Sequence, residues 1–387
     1  MAGIYIHIPF CNRFCTYCNF YSVKGKALRS RFIAALHREI EDKKHFFHGS
    51  GVAPQTVYVG GGTPSLLQAS QLGEILSHIK EAFSFTPVEA TVEVNPDDIS
   101  PQYARDLFAA GFNRASMGVQ SFHDTHLQWM NRRHNGEEAV GAYLALRDAG
   151  FANISLDLIF GYGGLSMRQW KENVGKMIEL SPEHISAYQM SIEPGSALCR
   201  MLEKGEYDLV PDNICHEQYS VLQKMLSQGG YTQYEISNFA RKDSRGNLMI
   251  SRHNSSYWTK EPYLGLGPAA HSYNGRKRLW NGSSVAAYCR HFSGTEIFGT
   301  LSEWNGQRFG GYEELSAEDV FNESIMLGLR TVEGVDLSIL DQSLLAEVRG
   351  EISRHCRLGN LVKDGEKIRI PSEKLFVSDG IIKDLFI

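Results

Sequence analysis

The sequence predicts an α/β protein: a parallel sheet with helical crossovers, followed by a smaller α+β region. Three observations lead there. Over the first 240 residues, short apolar, β-branched runs alternate with amphipathic stretches through six units. The runs are nearly continuous in apolar residues, which suits parallel strands covered on both faces. After about residue 240 the alternation stops, and Asn, Ser, Tyr, Trp and Gly become frequent. An open doubly wound sheet and a whole or partial barrel satisfy this pattern equally, and both gather functional groups at the C-terminal strand ends.

In chain order, strands are expected at Ile4–Ile8, Thr56–Val59, Ala90–Val94, Arg114–Val119, Ile154–Phe160 and His184–Met190. Helices are expected between them, among others from Arg29 to Lys44, Gln71 to Phe83 and Gly136 to Asp148. Ser100-Pro101 supplies a cap and a first-turn proline, and Gly111 a stop. Ser166 caps a helix that carries Trp170, Val174, Met177 and Ile178 on one face. Residues 241–300 read as an aromatic, glycine-rich linker. In 301–387, a capping box from Ser316 to Asp319 opens a helix to about Arg330. A closing hairpin pairs Leu361–Val362 with Ile368–Ile370 around Asp364-Gly365, giving a small winged-helix-like domain.

Composition narrows the function. A net charge of −5 gives no basic surplus for nucleic acid, and 301–387 carries sixteen acidic against ten basic residues, so DNA binding by the winged-helix-like part is not expected. No run of eighteen apolar residues occurs, so no transmembrane helix is expected. Met1 to Pro9 has neither a basic start nor a cleavage site, so it does not read as a signal peptide. The seven cysteines are an odd set with three crowded together, unlike a secreted disulfide framework; a reduced, cytoplasmic protein is expected.

The crowded three are Cys11, Cys15 and Cys18, directly after the first strand. Three readings fit three thiols on one short loop. They are reduced structural thiols; or a zinc site completed by His7; or a four-iron cluster with three protein ligands and one open iron. Ordinary clusters of that size take four cysteines, so three leave a coordination position for a small molecule. Strand alternation aims His7 into the sheet interior with Tyr5, away from the loop, which favours the cluster.

Further candidates lie at the ends of later strands. Gly60-Gly61-Gly62-Thr63-Pro64 ends the second, where glycines let the backbone approach a ligand closely. Glu93 is an acid within an apolar strand, either in an internal salt bridge or accepting hydrogen bonds from a ribose or an ammonium group. Gln120 and Ser121 follow the fourth strand, Arg132 lies twelve residues on, and Asp157 sits in the fifth strand; Arg132 and Asp157 also make a plausible ion pair.

The Cys11-x3-Cys15-x2-Cys18 spacing resembles the signature of the radical S-adenosylmethionine (SAM) superfamily. That resemblance implies a [4Fe–4S] cluster whose open iron binds the SAM methionine, and whose electron can release a 5′-deoxyadenosyl radical. It also implies a partial, six-stranded (β/α) barrel. Tyr5-Ile6-His7-Ile8-Pro9-Phe10-Cys11, the glycine triplet, the Gln120 segment, Asp157, and Tyr234-Glu235-Ile236-Ser237-Asn238-Phe239 together resemble one subgroup over nearly the whole chain. This is the oxygen-independent coproporphyrinogen III dehydrogenases and their relatives. The match implies SAM contacts by Tyr5, Gly61, Gly62, Thr63 and Glu93, and contacts to SAM or a second small ligand by Tyr17, Gln120, Arg132 and Asp157.

Within the subgroup, two features separate the chain from the dehydrogenases. Those enzymes carry a further cysteine two residues after the third ligand, where this chain has Phe20. They also carry a long extension before the cysteines, where this chain has ten residues. Both features resemble the heme chaperones of the subgroup, as does His253-Asn254-Ser255-Ser256-Tyr257-Trp258, a His-Asn-x-x-Tyr-Trp element. The expected function is therefore heme binding and transfer to acceptor proteins, with the respiratory chain, and so a visit to a membrane, as the implied destination. Oxidative decarboxylation of porphyrinogen propionates is the alternative. His253 is the expected heme ligand, since neutral imidazole binds iron and Tyr257 and Trp258 offer flat apolar area; His271 is the second candidate. One departure is local: relatives usually place Leu-Pro-Gly after the fifth strand, where Gly161 is followed by Tyr162-Gly163-Gly164.

Overall fold

A computed structural model describes residues 1–48, 51–293 and 309–387. Six βα units open the chain. They are β1 (Ala2–Ile8), α1 (Arg29–Lys43), β2 (Pro54–Gly61), α2 (Ala69–Ala82), β3 (Glu89–Val94), α3 (Pro101–Ala109), β4 (Arg114–Gln120), α4 (Asp124–Trp129), α5 (Gly136–Asp148), β5 (Ile154–Phe160), α6 (Met167–Leu180) and β6 (His184–Gln189). The capping residues read from the sequence work as such: Ser100 accepts from Tyr103 N and Ser166 from Gln169 N. Strands β1 to β6 are all parallel and lie side by side in strict chain order. A doubly wound sheet reverses its strand order at a switch point; unreversed order is that of a barrel wall, here left partial because β1 and β6 each pair with other strands.

The strands alternate more sharply than their apolar content suggested. Ile4, Ile6, Val57, Val59, Val92, Met117, Leu156 and Ile185 are fully buried on one face. The opposite face carries Tyr5 and His7, Thr56 and Tyr58, Thr91 and Glu93, Arg114 and Ser116, Ser155 and Asp157, and His184 and Ser186. Hydrogen bonds between strands mark this as one shared surface: Tyr58 to Glu93, and Ser155 to both His184 and Ser186. A closed (β/α)8 barrel fills its interior with Val, Ile and Leu. The inner face here is polar instead.

The next elements are α7 (Ala197–Glu203), α8 (Asp212–Gln228), β7 (Thr232–Gln233), β8 (Asn238–Ala240), α9 (Arg252–Trp258), β9 (Tyr263–Leu266), β10 (His271–Tyr273), β11 (Lys277–Asn281), α10 (Val285–His291) and β12 (Gly310–Glu314). The segment read as a linker is thus structured: β9 pairs in parallel with β1, and β10, β11 and β12 extend that edge antiparallel. Residues 294–308, the end of that segment and the start of the next, lie outside the described residues. The C-terminal part holds α11 (Ala317–Leu329), β13 (Val335–Asp336), α12 (Gln342–Arg357), β14 (Val362–Asp364), β15 (Lys367–Arg369) and α13 (Ser378–Lys383). Its antiparallel sheet, in order β13-β15-β14, includes the expected hairpin. Ser316 and Asp319 form the capping box.

One buried acid fastens the added strands to the barrel. Glu39 of α1 is fully buried and accepts from Lys43 Nζ (2.9 Å), Asn281 Nδ2 (2.7 Å), Gly267 N (2.7 Å) and Tyr288 OH (2.6 Å). It joins α1 to the β9–β10 turn, β11 and α10. Removing one partner of a buried charged network leaves the others uncompensated. Glu39→Ala should therefore cost about 3–5 kcal/mol of folding stability, read by denaturant melts; a loss below about 1 kcal/mol, the size of an exposed contact, would contradict this role.

Candidate functional site

The cysteine loop leaves β1 at the C-terminal end of the barrel and is held from three sides. Cys11 N bonds Val23 O (3.0 Å), and Val23 N bonds Pro9 O (2.8 Å). The end of α4 grips its middle: Thr16 N bonds Met130 O (3.1 Å), Thr16 Oγ1 donates to Trp129 O (2.8 Å) and Asn131 Nδ2 to Phe14 O (2.6 Å). From α7, Leu198 N bonds Thr16 O (2.8 Å). Cys11, Cys15 and Cys18 are half-buried and unpaired.

The glycine segment presses against this loop. Gly62 N bonds Ile8 O (2.8 Å), and a Cβ at Gly62 would lie 2.7 Å from Phe10 O. Gly61 has φ +105°, and a Cβ there would lie 2.5 Å from His7 Nδ1, so both steric room and backbone conformation require glycine. Thr63 Oγ1 sits 3.5 Å from Cys11 Sγ. Asn95, which sequence reasoning passed over, links this corner to the other side: its Nδ2 donates to Thr63 Oγ1 (3.3 Å), and its Oδ1 accepts from Arg132 Nη2 (2.9 Å). Its position two residues after Glu93, on the same strand face, was the available signal.

Arg132 completes the ring. Nη2 also donates to Gly118 O (2.7 Å), and Nη1 lies 3.5 Å from Cys15 Sγ. Its Nε is buried without a partner. Tyr17 packs beside Arg132 and Cys15, and burial raises its hydroxyl pKa. Gln120 stands at a β-bulge with φ +67°, which folds its amide back over Gly118. The alternative pairing of Arg132 with Asp157 does not form: Nη2 donates to Asn95 and Gly118, Nη1 lies beside Cys15, and no ion pair joins Arg132 to Asp157 among the described residues.

Two buried acids lie below on the same inner face. Glu93 accepts from Tyr58 OH (2.7 Å) and Gly61 N (3.1 Å) and has no ion pair among the described residues. Burial pushes its carboxyl up to about 7; the Tyr58 bond opposes the rise and the Asp157 charge adds to it. Burial pushes Asp157 up to about 6, against hydrogen bonds from Ser186 and Ser155 and the charge of Arg114. Tyr5 OH lies 3.1 Å from His7 Nδ1, and His7 Nε2 lies 2.8 Å from Tyr21 O. A carbonyl only accepts, so His7 donates from Nε2 and accepts at Nδ1. Both nitrogens are spent, and His7 does not turn toward the cysteines as the zinc alternative needs.

The donor set fits an iron–sulfur cluster better than a single ion. A tetrahedral zinc with bonds of about 2.3 Å would hold its sulfurs roughly 3.8 Å apart. Among the described residues, the His, Cys, Asp and Glu donors gathered within 4.8 Å of one another are Glu351, His355 and Asp384, not the three cysteines. The Glu351 group is an ion-pair cluster around Arg354. Burial pushes the Cys18 thiol up to about 11, with Cys15 and Cys11 adding to the rise, and a metal centre binds the thiolate form. The orphan Nε of Arg132 and the glycine cradle leave room and a donor for a bound molecule.

His253 stands apart from this site. It is fully enclosed, its Nδ1 2.8 Å from Thr56 Oγ1, its Nε2 2.8 Å from Tyr257 OH, and its ring stacked 5.2 Å from Tyr58. Its backbone N donates to Glu89 Oε1 (2.9 Å). Both ring nitrogens of His253 thus have partners within the protein, and Tyr257 is one of them. His271 is exposed.

Comparison with known proteins agrees with this geometry. The Radical SAM superfamily matches residues 5–176. The heme chaperone HemW of Bacillus subtilis is 33% identical over 340 residues, 87% of this chain and 85% of that one. The chain belongs to the HemW family of radical SAM proteins. HemW of Mycobacterium tuberculosis is 29% identical over 388 residues, 99% of this chain and 94% of that one. Among solved structures, coproporphyrinogen III oxidase (HemN) from Escherichia coli, described as a radical SAM enzyme, superposes with a TM-score of 0.79 at 21% identity, covering 100% of this chain and 90% of that one. That likeness establishes the fold: an α/β radical SAM barrel with a smaller C-terminal domain. The HemW family shares with the superfamily the [4Fe–4S] cluster and SAM that membership implies.

The raised pKa of Glu93 has a testable sign. Its folded value lies above the unfolded one, so the contribution is fully present below about 4.5 and is lost as pH rises through about 7. The protein without cluster or SAM should lose up to about 3 kcal/mol from this group over that window, and Glu93→Gln should remove the loss. Denaturant melts at pH 5 and pH 8 check it: the difference between variant and wild type should shift in favour of the variant at pH 8, and a difference independent of pH would contradict the assignment.

Proposed function

We propose that this chain is a heme chaperone, binding heme and passing it to acceptor proteins, with respiratory proteins as the recipients and the cytoplasm as its compartment. What carries the reading is resemblance to HemW relatives along nearly the full length, joined to one local feature. Phe20 occupies the place of the dehydrogenases' extra cysteine, and it is 67% exposed on the cysteine loop. An apolar ring at that position suits an apolar disc such as heme and removes a thiol from the dehydrogenase pattern. Among the described residues no helix is long and apolar enough to cross a membrane.

In this reading Cys11, Cys15 and Cys18 hold the [4Fe–4S] cluster, and SAM takes the open position. Such a cluster, when bound, supplies an electron to SAM. The chain's own residues position and shield. Gly61 and Gly62 bring backbone close to the ligand, and Thr63 with Asn95 fixes the edge beside Cys11. Glu93, ionised above about pH 7, accepts from a ribose or an ammonium group. Arg132 places positive charge beside Cys15 and offers its free Nε, while Tyr5, Tyr17, Gln120 and Asp157 close the cavity around the nucleotide.

Two measurements on the cluster-loaded protein test the function. Heme titration should saturate at about one equivalent with a Soret band. Anaerobic incubation with coproporphyrinogen III, SAM and a reductant should yield no protoporphyrinogen. Failure to bind heme, or robust conversion of the porphyrinogen, would overturn the chaperone reading.

A further inference from the structure

We propose that His271 supplies the imidazole that binds heme iron, through Nε2, on an aromatic platform shared with Trp280. This rests on the heme-binding reading above and names the side chain that serves it.

The first observation is one of availability. A ring nitrogen that binds iron must present a lone pair to the outside. His253 presents none: Thr56 and Tyr257 hold both nitrogens, and β1 packs against the ring so closely that a Cβ at Gly3 would lie 2.8 Å from it. Freeing that ring means opening the interior of the sheet. His271 opens β10 and is exposed. Its Nδ1 lies 3.1 Å from Ala269 O. A carbonyl only accepts, so Nδ1 carries the hydrogen and Nε2 carries the lone pair. Among the described residues Nε2 has no recorded partner. An imidazole whose Nδ1–H is tied to backbone is fixed in tautomer and made more basic at Nε2, the arrangement in which histidine binds metal.

The second observation is the surface beside it. His271 pairs across the ladder with Trp280 of β11, with ring centroids 6.2 Å apart and planes 32° from each other. Trp280 lies close over β12, since a Cβ at Gly311 would come 2.5 Å from Trp280 Cζ2. Glycine at 311 thus gives the indole its place. A half-buried indole next to a free imidazole offers a porphyrin both an iron ligand and apolar area.

The third observation is location. The turn that carries His271 touches the end of β1, where a Cβ at Gly267 would lie 2.5 Å from His7 O. His7 is four residues before Cys11. Heme on His271 would therefore sit at the cluster end of the barrel.

Heme titration of the anaerobic, cluster-loaded protein, in wild-type form and as His271→Ala, His271→Gly and His253→Ala, tests the proposal. Wild type should give a Soret band that His271→Ala weakens at least tenfold in affinity, with melting temperature unchanged because the residue is exposed. Free imidazole should restore the band in His271→Gly. His253→Ala should keep the band while lowering the melting temperature. An undiminished Soret band in His271→Ala, or no rescue by imidazole in His271→Gly, would overturn the His271 assignment and leave the chaperone reading standing. Absence of heme binding in the wild-type protein would overturn the chaperone reading, and the assignment with it.

Discussion

The guanidinium of Arg132 sets the geometry on which the site depends. It reaches from the end of α4 across two strand ends, bonds Asn95 and Gly118, and places a positive charge beside Cys15. A planar donor fork can hold three acceptors in fixed directions, which a lysine cannot. The cysteine loop is thereby registered against the glycine segment: Asn95 carries the contact on to Thr63, and Thr63 to Cys11. The sulfurs of Cys11 and Cys15, two loops and two strands are joined by one connected set of hydrogen bonds.

Beneath that ring the barrel departs from ordinary core packing. Its inner face is lined by hydroxyls, imidazoles and carboxyls, and burial raises Glu93 and Asp157 toward neutrality. Arg114 lies deeper still, 1% exposed, with Nε and Nη1 lacking partners among the described residues, and its charge restrains both acids. A polar interior of this kind costs stability that an apolar barrel would keep, and it is retained where a ligand has to enter.

Much of this was legible in the sequence because its signals are local. The six strand–helix units, the Ser100 and Ser166 caps, the Ser316 box and the final hairpin all follow from periodicity and turn chemistry within a few residues. The cysteine spacing is local too. Features made by distant residues were not legible. Glu39 reads as an ordinary charge on an amphipathic helix, yet it is enclosed by partners more than two hundred residues away. The 263–281 segment reads as loop because its strands are three to five residues long and interrupted by glycine. The burial of His253 was not legible for the same reason: Tyr257 lies one helical turn on, but the contact of the His253 ring with Thr56 of β2 is made by a residue almost two hundred positions away. Arg132 and Asp157 find different partners, Asn95 and Gly118 for the one and Ser155 for the other, which spacing alone does not show.

The proposed function requires three thiolates, from Cys11, Cys15 and Cys18, sharing a four-iron centre whose fourth metal is left for SAM. Low-temperature electron paramagnetic resonance of the reduced, anaerobically reconstituted protein, with and without SAM, tests that most directly, alongside iron and sulfide analysis. The expected result is about four irons and four sulfides per chain and a reduced-cluster signal that changes shape when SAM is added. A signal indifferent to SAM, or one zinc in place of the cluster, would contradict it.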